Sequence, residues 1–195
     1  MKHYSIKSNI PSKEELKNLW ENLKLEKINN WTKFTNTLVE SINDYYSNGG
    51  IKINKYKILE SSPIHYYLLK DKSFVENISK NKKILEDRNY LKLVGELPKL
   101  KILEHWTDIY TLAGDLARIM GYGGAYKKAF SSNIAWKIAI EFVENELGNR
   151  FEDFDVYMVK IENAKWFYDV AWDYSFIITD NKEKEIIFMD ITDTD

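Results

Sequence analysis

From Lys165 to Asp195 the chain alternates apolar and polar residues in a pattern that few folds accommodate. Trp166, Tyr168, Val170, Trp172, Tyr174, Phe176 and Ile178 fill every second position. Period-two alternation of aromatic and β-branched residues specifies a strand with one covered face. Asp180-Asn181-Lys182-Glu183 supplies turn residues, and a second apolar run follows from Lys184 to about Thr192. The two runs read as an antiparallel hairpin. Asp155 to Ile161 reads as a strand before it, joined by a short turn at Asn163-Ala164. A three-stranded antiparallel β-meander over residues 151–195 is therefore expected, with an aromatic face that something must cover.

The other face of the hairpin carries carboxylates. If residue 179 pairs with residue 184, Asp173 lies opposite Asp190, with Cβ atoms roughly 5 Å apart. Like charges directly opposite each other are destabilising, so this pairing requires an explanation. Asp169 lies further along the same face, and Asp193 and Asp195 follow in the sequence. Three readings stand: solvated aspartates on an exposed sheet, a surface that docks Lys or Arg from a partner, or oxygen ligands for Mg²⁺ or Ca²⁺. No D-x-D-x-D-G loop is present, which excludes an EF-hand.

The part of the chain that must cover the aromatic face reads as mainly helical, over residues 1–150. Ser12 followed by Glu15 is a capping box, and Leu16, Leu19, Trp20 and Leu23 recur at helical spacing. A second helix is expected from Thr32 to Tyr46, ended by Asn48-Gly49-Gly50. The two segments look like an antiparallel helical pair. Ile51 to Ile58 fits a strand or a helix entry. Phe74 to Leu93 and Glu104 to Met120 read as helices, the latter with an Asp115–Arg118 pair at i,i+3. Ser131-Ser132-Asn133 caps a further helix to Leu147, closed by Gly148. Its apolar residues point to more than one side, which suits a central helix under the meander. At 195 residues and 44% hydrophobic content the chain suits one α+β domain, 1–195.

Composition excludes several functions. Cysteine is absent, so disulfides, thiolate metal sites and a Cys nucleophile are out, and a reducing, cytoplasmic setting fits. No apolar run approaches the roughly 18 residues of a membrane span. The charge is uneven. Residues 1–100 hold 18 Lys and Arg against 12 Asp and Glu, net +6, whereas residues 101–195 hold 10 against 18, net −8. Either both signs mix on the folded surface, or the C-terminal half presents an acidic face to a basic partner. Lys80-Asn81-Lys82-Lys83 reads as a solvated face, so no nucleic-acid partner is expected.

Catalytic motifs are sparse. His3, His65 and His105 belong to no zinc-protease pattern, although His105 beside Trp106 could meet a carboxylate as an acid–base pair. Gly121 to Gly124 follows a helix rather than a strand, which fails the context of a dinucleotide loop. There is no nucleophile elbow and no Walker sequence. Trp31, Trp106, Trp136, Trp166 and Trp172 read as core. No cofactor, catalytic residue or metal ligand is assigned.

The stretch Trp166-Phe167-Tyr168-Asp169-Val170-Ala171-Trp172-Asp173, ending in Thr192-Asp193-Thr194-Asp195, resembles small bacterial proteins of the toxin-immunity kind. The resemblance covers the last third of the chain, and no residue role carries over. It implies a cytoplasmic, non-enzymatic binder that neutralises a cognate toxin through a carboxylate-rich face, with Asp169, Asp173, Asp190, Asp193 and Asp195 as the partner-binding set. The alternative is a small hydrolase or metal-dependent enzyme with a pocket around Asp108, Asp115, Asp169 or Asp173.

Overall fold

A computed structural model describes residues 12–59, 69, 72–103, 107–126, 130–148 and 150–194. Its centre is one antiparallel sheet of six strands: β1 Leu25–Ile28, β2 Gly50–Ile58, β3 Leu100–Ile102, β4 Phe154–Ile161, β5 Tyr174–Asp180 and β6 Glu185–Thr192, in the spatial order β1-β2-β6-β5-β4-β3. The helices among the described residues are α1 Lys13–Glu21, α2 Lys33–Tyr45, α3 Lys72–Ile78, α4 Lys82–Asp87, α5 Leu112–Tyr122 and α6 Ser132–Phe142. A π-helical turn, Val143–Leu147, extends α6.

The α+β class stands, but two architectural expectations are overturned. The sheet is not a three-stranded C-terminal meander, because β1, β2 and β3, all from the first 102 residues, extend it on both sides. Nor do the first two helices form a simple pair, since β1 lies between them and pairs with β2. The physical reason lies in β2. Ile51 shares a core with α2, α5 and α6, whereas Tyr56 and Ile58 share the opposite core with α1, α3 and α4. A strand covered on both faces loses the simple apolar–polar alternation that marks a half-exposed one.

The same holds at the centre of the sheet. On one face Phe176, Ile178, Ile187, Met189 and Ile191 join Leu38 and Ile42 of α2, Leu116 and Ile119 of α5, and Ala139 and Phe142 of α6. On the other, Ile177, Ile186 and Phe188 join Trp20 of α1, Phe74 and Val75 of α3, and Ile84 of α4. The molecule is thus a three-layer sandwich, and β5 and β6 are its buried middle. The face expected to carry solvated carboxylates is instead a second core.

Capping chemistry behaves as the residues dictate. Glu15 N–H donates to Ser12 Oγ at 3.3 Å while Ser12 N–H donates to Glu15 Oε2 at 2.7 Å. The expected 74–93 helix divides in two because Asn81 caps α4, its Oδ1 accepting from Lys83 N–H at 3.0 Å. Of the expected 104–120 helix, residues 104–106 lie outside the described residues, and α5 starts at Leu112 after a turn in which Asp108 Oδ1 accepts from Thr111 N–H at 2.9 Å. Trp136, read as core, is half exposed on α6.

Three tyrosines give the fold an alkaline limit. Burial pushes the phenols of Tyr46, Tyr56 and Tyr90 well above their ordinary value. Their native-state pKa values exceed those of the unfolded chain, so the native state holds more protons above about pH 10 and stability falls as pH rises from there. Cooperative unfolding in that range is expected, and the last part of the phenolate absorbance, that of the buried tyrosines, must rise together with loss of the near-ultraviolet dichroism. Complete phenolate absorbance reached before unfolding would contradict it.

Candidate functional site

The expected carboxylate face separates into three environments. Asp190 is wholly buried, and the register is two residues away from the expected one: Ser175, not Asp173, stands opposite it. The Ser175 hydroxyl donates to Asp190 Oδ1 at 2.6 Å. Arg88, 3% exposed, donates from Nη2 to both oxygens at 2.8 Å and from Nε to Oδ2 at 3.1 Å. Tyr90 Oη donates to Oδ2 at 2.6 Å and itself accepts from Asn54 Nδ2 at 3.3 Å. The Arg88 guanidinium also lies 4.6 Å from the centre of the Phe188 ring. The like-charge repulsion expected at Asp190 therefore does not exist. A buried arginine neutralises it, so Asp190 is a structural ion pair and not part of an exposed surface.

Asp193 is buried too. Its Oδ1 accepts from Asn48 N–H and its Oδ2 from Ala125 N–H, both at 2.9 Å, which ties the end of β6 to the segments after α2 and α5. Asp195 lies outside the described residues, as do His3, His65, His105, Trp106, Lys127 and Lys128.

Asp169 and Asp173 do come together. The ladder between β4 and β5 ends at Val159–Ser175, because residues 162–173 form a looped segment rather than the expected continuation of the strand. Where the strands part, a cleft of about 360 Å³ opens, lined among others by Glu162, Phe167, Asp169, Asp173 and Tyr174. Asp173 holds the loop: its Oδ2 accepts from Tyr168 N–H at 3.0 Å and Val170 N–H at 2.9 Å, and its Oδ1 from Thr192 Oγ1 at 2.5 Å. Asp169, at φ +59°, projects from the loop into solvent and pairs with Lys160 at 2.5 Å. Asp173→Asn should therefore weaken the fold by about 1–2 kcal/mol, because charge-assisted bonds to two amides are lost. A urea-melt midpoint equal to the parent protein's would exclude this role.

A second concavity, about 300 Å³, lies along the first half of β4. Asp108, Glu152 and Asp155 line it together with Tyr110, Phe151 and Tyr157, and among the described residues no Lys or Arg does. Tyr110 is 74% exposed and meets Phe151 edge-on at 5.8 Å between ring centres. Asp155 is half-buried, and its Oδ2 accepts from Asn181 Nδ2 at 2.7 Å. Both concavities use β4, so an acidic strip follows that strand, interrupted by Lys160 and its ladder partner Lys101. Sequence reading missed Glu152 and Asp155 because Asp155 reads as the first residue of a strand and Glu152 belongs to no motif.

The remaining acidic residues of the interior are matched internally. Lys55 bridges Glu146 at 3.3 Å and Glu185 at 2.8 Å, and Arg150 reaches Asp180 at 2.5 Å and Asp153 at 3.2 Å. Burial would lower the Lys55 pKa, but Glu185 and Glu146 outweigh it and raise it above the ordinary value. The expected Asp115–Arg118 pair is present at 3.3 Å. Among the described residues no group of three or more His, Asp or Glu side chains converges as a metal site, and no helix is long and apolar enough to cross a membrane. Compared with models of known protein families and with curated proteins, the chain matches none.

Proposed function

We propose that this protein is a non-enzymatic binding module that docks a basic protein partner on the acidic strip along β4, in the manner of an immunity-type inhibitor covering the basic active site of a toxin. One observation carries the reading. The interior carboxylates of Asp190, Glu146, Glu185 and Asp180 are each paired with Arg88, Lys55 or Arg150, whereas Asp108, Glu152, Asp155, Glu162 and Asp169 lie along one strand at the surface, with Lys160 beside Asp169. A concentrated field of one sign speeds encounter with an opposite surface and selects against acidic partners. The resemblance of the C-terminal stretch to immunity proteins points the same way.

The enzyme alternative gains little from the 360 Å³ cleft. Asp173 already accepts three hydrogen bonds and Asp169 is ion-paired in solvent, so neither carboxylate is poised to exchange a proton with a bound substrate.

The test is growth rescue on co-expression with the toxic product of a neighbouring reading frame, followed by co-purification. Replacing Glu152, Glu162 and Asp169 together by lysine should abolish both rescue and co-purification while leaving the melting curve nearly unchanged, since all three are exposed. Association should also slow steeply as salt is raised. Rescue undiminished by the triple substitution would overturn the proposal.

A further inference from the structure

We infer that the cleft between the parted ends of β4 and β5 is an anchor pocket, which takes one large apolar side chain of the protein partner with a lysine or arginine beside it in that partner's chain; this rests on the acidic-strip reading above. The cleft is held open by bonds of its own. Past Val159, β4 goes on pairing with β3 through Lys160 and Ile161, while its ladder with β5 has stopped at Ser175. The segment that turns away is fixed at both ends. At the near end Trp166 N–H donates to Leu91 O at 3.1 Å, and Asn163 Nδ2 donates to Val94 O and Leu97 O, both at 2.9 Å. At the far end Asp173 accepts from two loop amides and the Thr192 hydroxyl. A pocket formed in advance costs an occupant little further ordering.

The walls and the lining charge together select the occupant. Leu103, Phe167, Val170 and Tyr174 line the cleft half-buried, so each keeps apolar surface for an incoming group to cover. Leu103 and Tyr174 pack against the core on one face of the sheet and Phe167 against the core on the other, so the walls come from both layers. A volume of about 360 Å³ is at the small end for ligand pockets and suits a single side chain rather than a whole helix. Three carboxylates, Glu162, Asp169 and Asp173, line it against one cation, Lys160, a net charge of −2. Lys101, the ladder partner of Lys160, still leaves it at −1. The Lys160–Asp169 bond lies in solvent, where an ion pair contributes little and a partner's cation can take its place. A cation next to the anchor therefore meets Glu162 and Asp169, and an acidic neighbour is repelled. An apolar anchor enclosed by a polar rim is the arrangement that concentrates binding energy in few residues.

The probes are three short, capped Gly-Ser peptides with Lys-Phe-Lys, Lys-Ser-Lys or Glu-Phe-Glu at the centre, titrated into the isotope-labelled protein and followed by NMR. Lys-Phe-Lys should shift the methyl signals of Leu103 and Met158, which line the cleft, and bind about tenfold more tightly than either of the others. Val170→Trp, which fills the cleft, should remove those methyl shifts. Glu162→Lys, at an exposed position, should weaken binding without affecting folding, which covers the case in which Val170→Trp disturbs the loop. Equal binding of Lys-Phe-Lys and Lys-Ser-Lys would overturn the anchor while leaving the acidic-strip reading intact. Equal binding of Lys-Phe-Lys and Glu-Phe-Glu would overturn the cationic neighbour. Shifts confined to Tyr110 and Phe151 would overturn the location, and phenylalanine amide binding as tightly as the peptide would overturn the assignment to a protein partner. The acidic-strip reading fails separately, if toxin rescue survives the triple lysine substitution.

Discussion

Asp190→Asn should lower stability by about 3–5 kcal/mol, the range found when one partner of a buried ion pair is removed. In a chain of this size that is a fall of about 10 °C in melting temperature. The substitution keeps the side chain's shape, so its effect reports charge. It strands the Arg88 guanidinium in the layer between the sheet and α4, where Arg88 and Asp190 are 3% and 0% exposed. Arg88→Met should cost a similar amount, since it leaves Asp190 with only the Tyr90 and Ser175 hydroxyls as donors. The double variant Arg88→Met/Asp190→Asn leaves no bare charge. It should therefore be more stable than the sum of the single losses predicts, a positive coupling between contacting residues. Additive losses in urea melts would mean that the two side chains act independently, against the geometry.

The second large effect is expected at Gly49→Ala. A Cβ built on Gly49 falls 1.9 Å from the carbonyl oxygen of Thr192 and 2.6 Å from its carbon, both backbone atoms of the central strand β6. A rotamer change cannot relieve that contact. The connection from α2 into β2 would have to move away from the end of β6, breaking the Asn48–Asp193 bond with it. A loss of about 3 kcal/mol, at the upper end for overpacking, is expected. Gly124→Ala provides the comparison. Its Cβ meets the side chain of Asp193 at 2.0 Å, which can swing aside at the cost of its two backbone bonds. The loss there should be smaller, and a ranking of the two substitutions the other way would refute this account of the packing at the end of β6.

Both effects bear on residues that the chain itself presents as surface aspartates or turn glycines. Asp190 and Asp193 sit in a terminal stretch whose alternation reads as apolar on one side and acidic on the other. That reading assumes a single covered face. Helices on both sides remove the assumption, and an aspartate on the second face then needs a buried cation from elsewhere in the sequence. Nothing near Asp190 identifies Arg88, 102 residues away, as that cation. Asp169 and Asp173 were brought to one cleft, as their shared face suggested, but by a loop in place of the strand. The glutamate and aspartates of the second concavity come from segments that local pattern treats as unrelated.

The sequence alone determined the local chemistry: the Ser12–Glu15 capping box, the helix start at Thr32, the turn between β5 and β6, the pairing of Asp115 with Arg118, and the uneven charge of the two halves. These follow from residues within four positions of one another, or from counts. Only the tertiary structure decided how many strands the sheet has, that its faces are both buried, which aspartates are neutralised inside, and where the acidic strip lies. Those outcomes depend on pairings between distant segments. Such pairings are selected by the burial of whole faces rather than by any local preference, and a strand buried on both faces carries little of the alternation that would announce its partners.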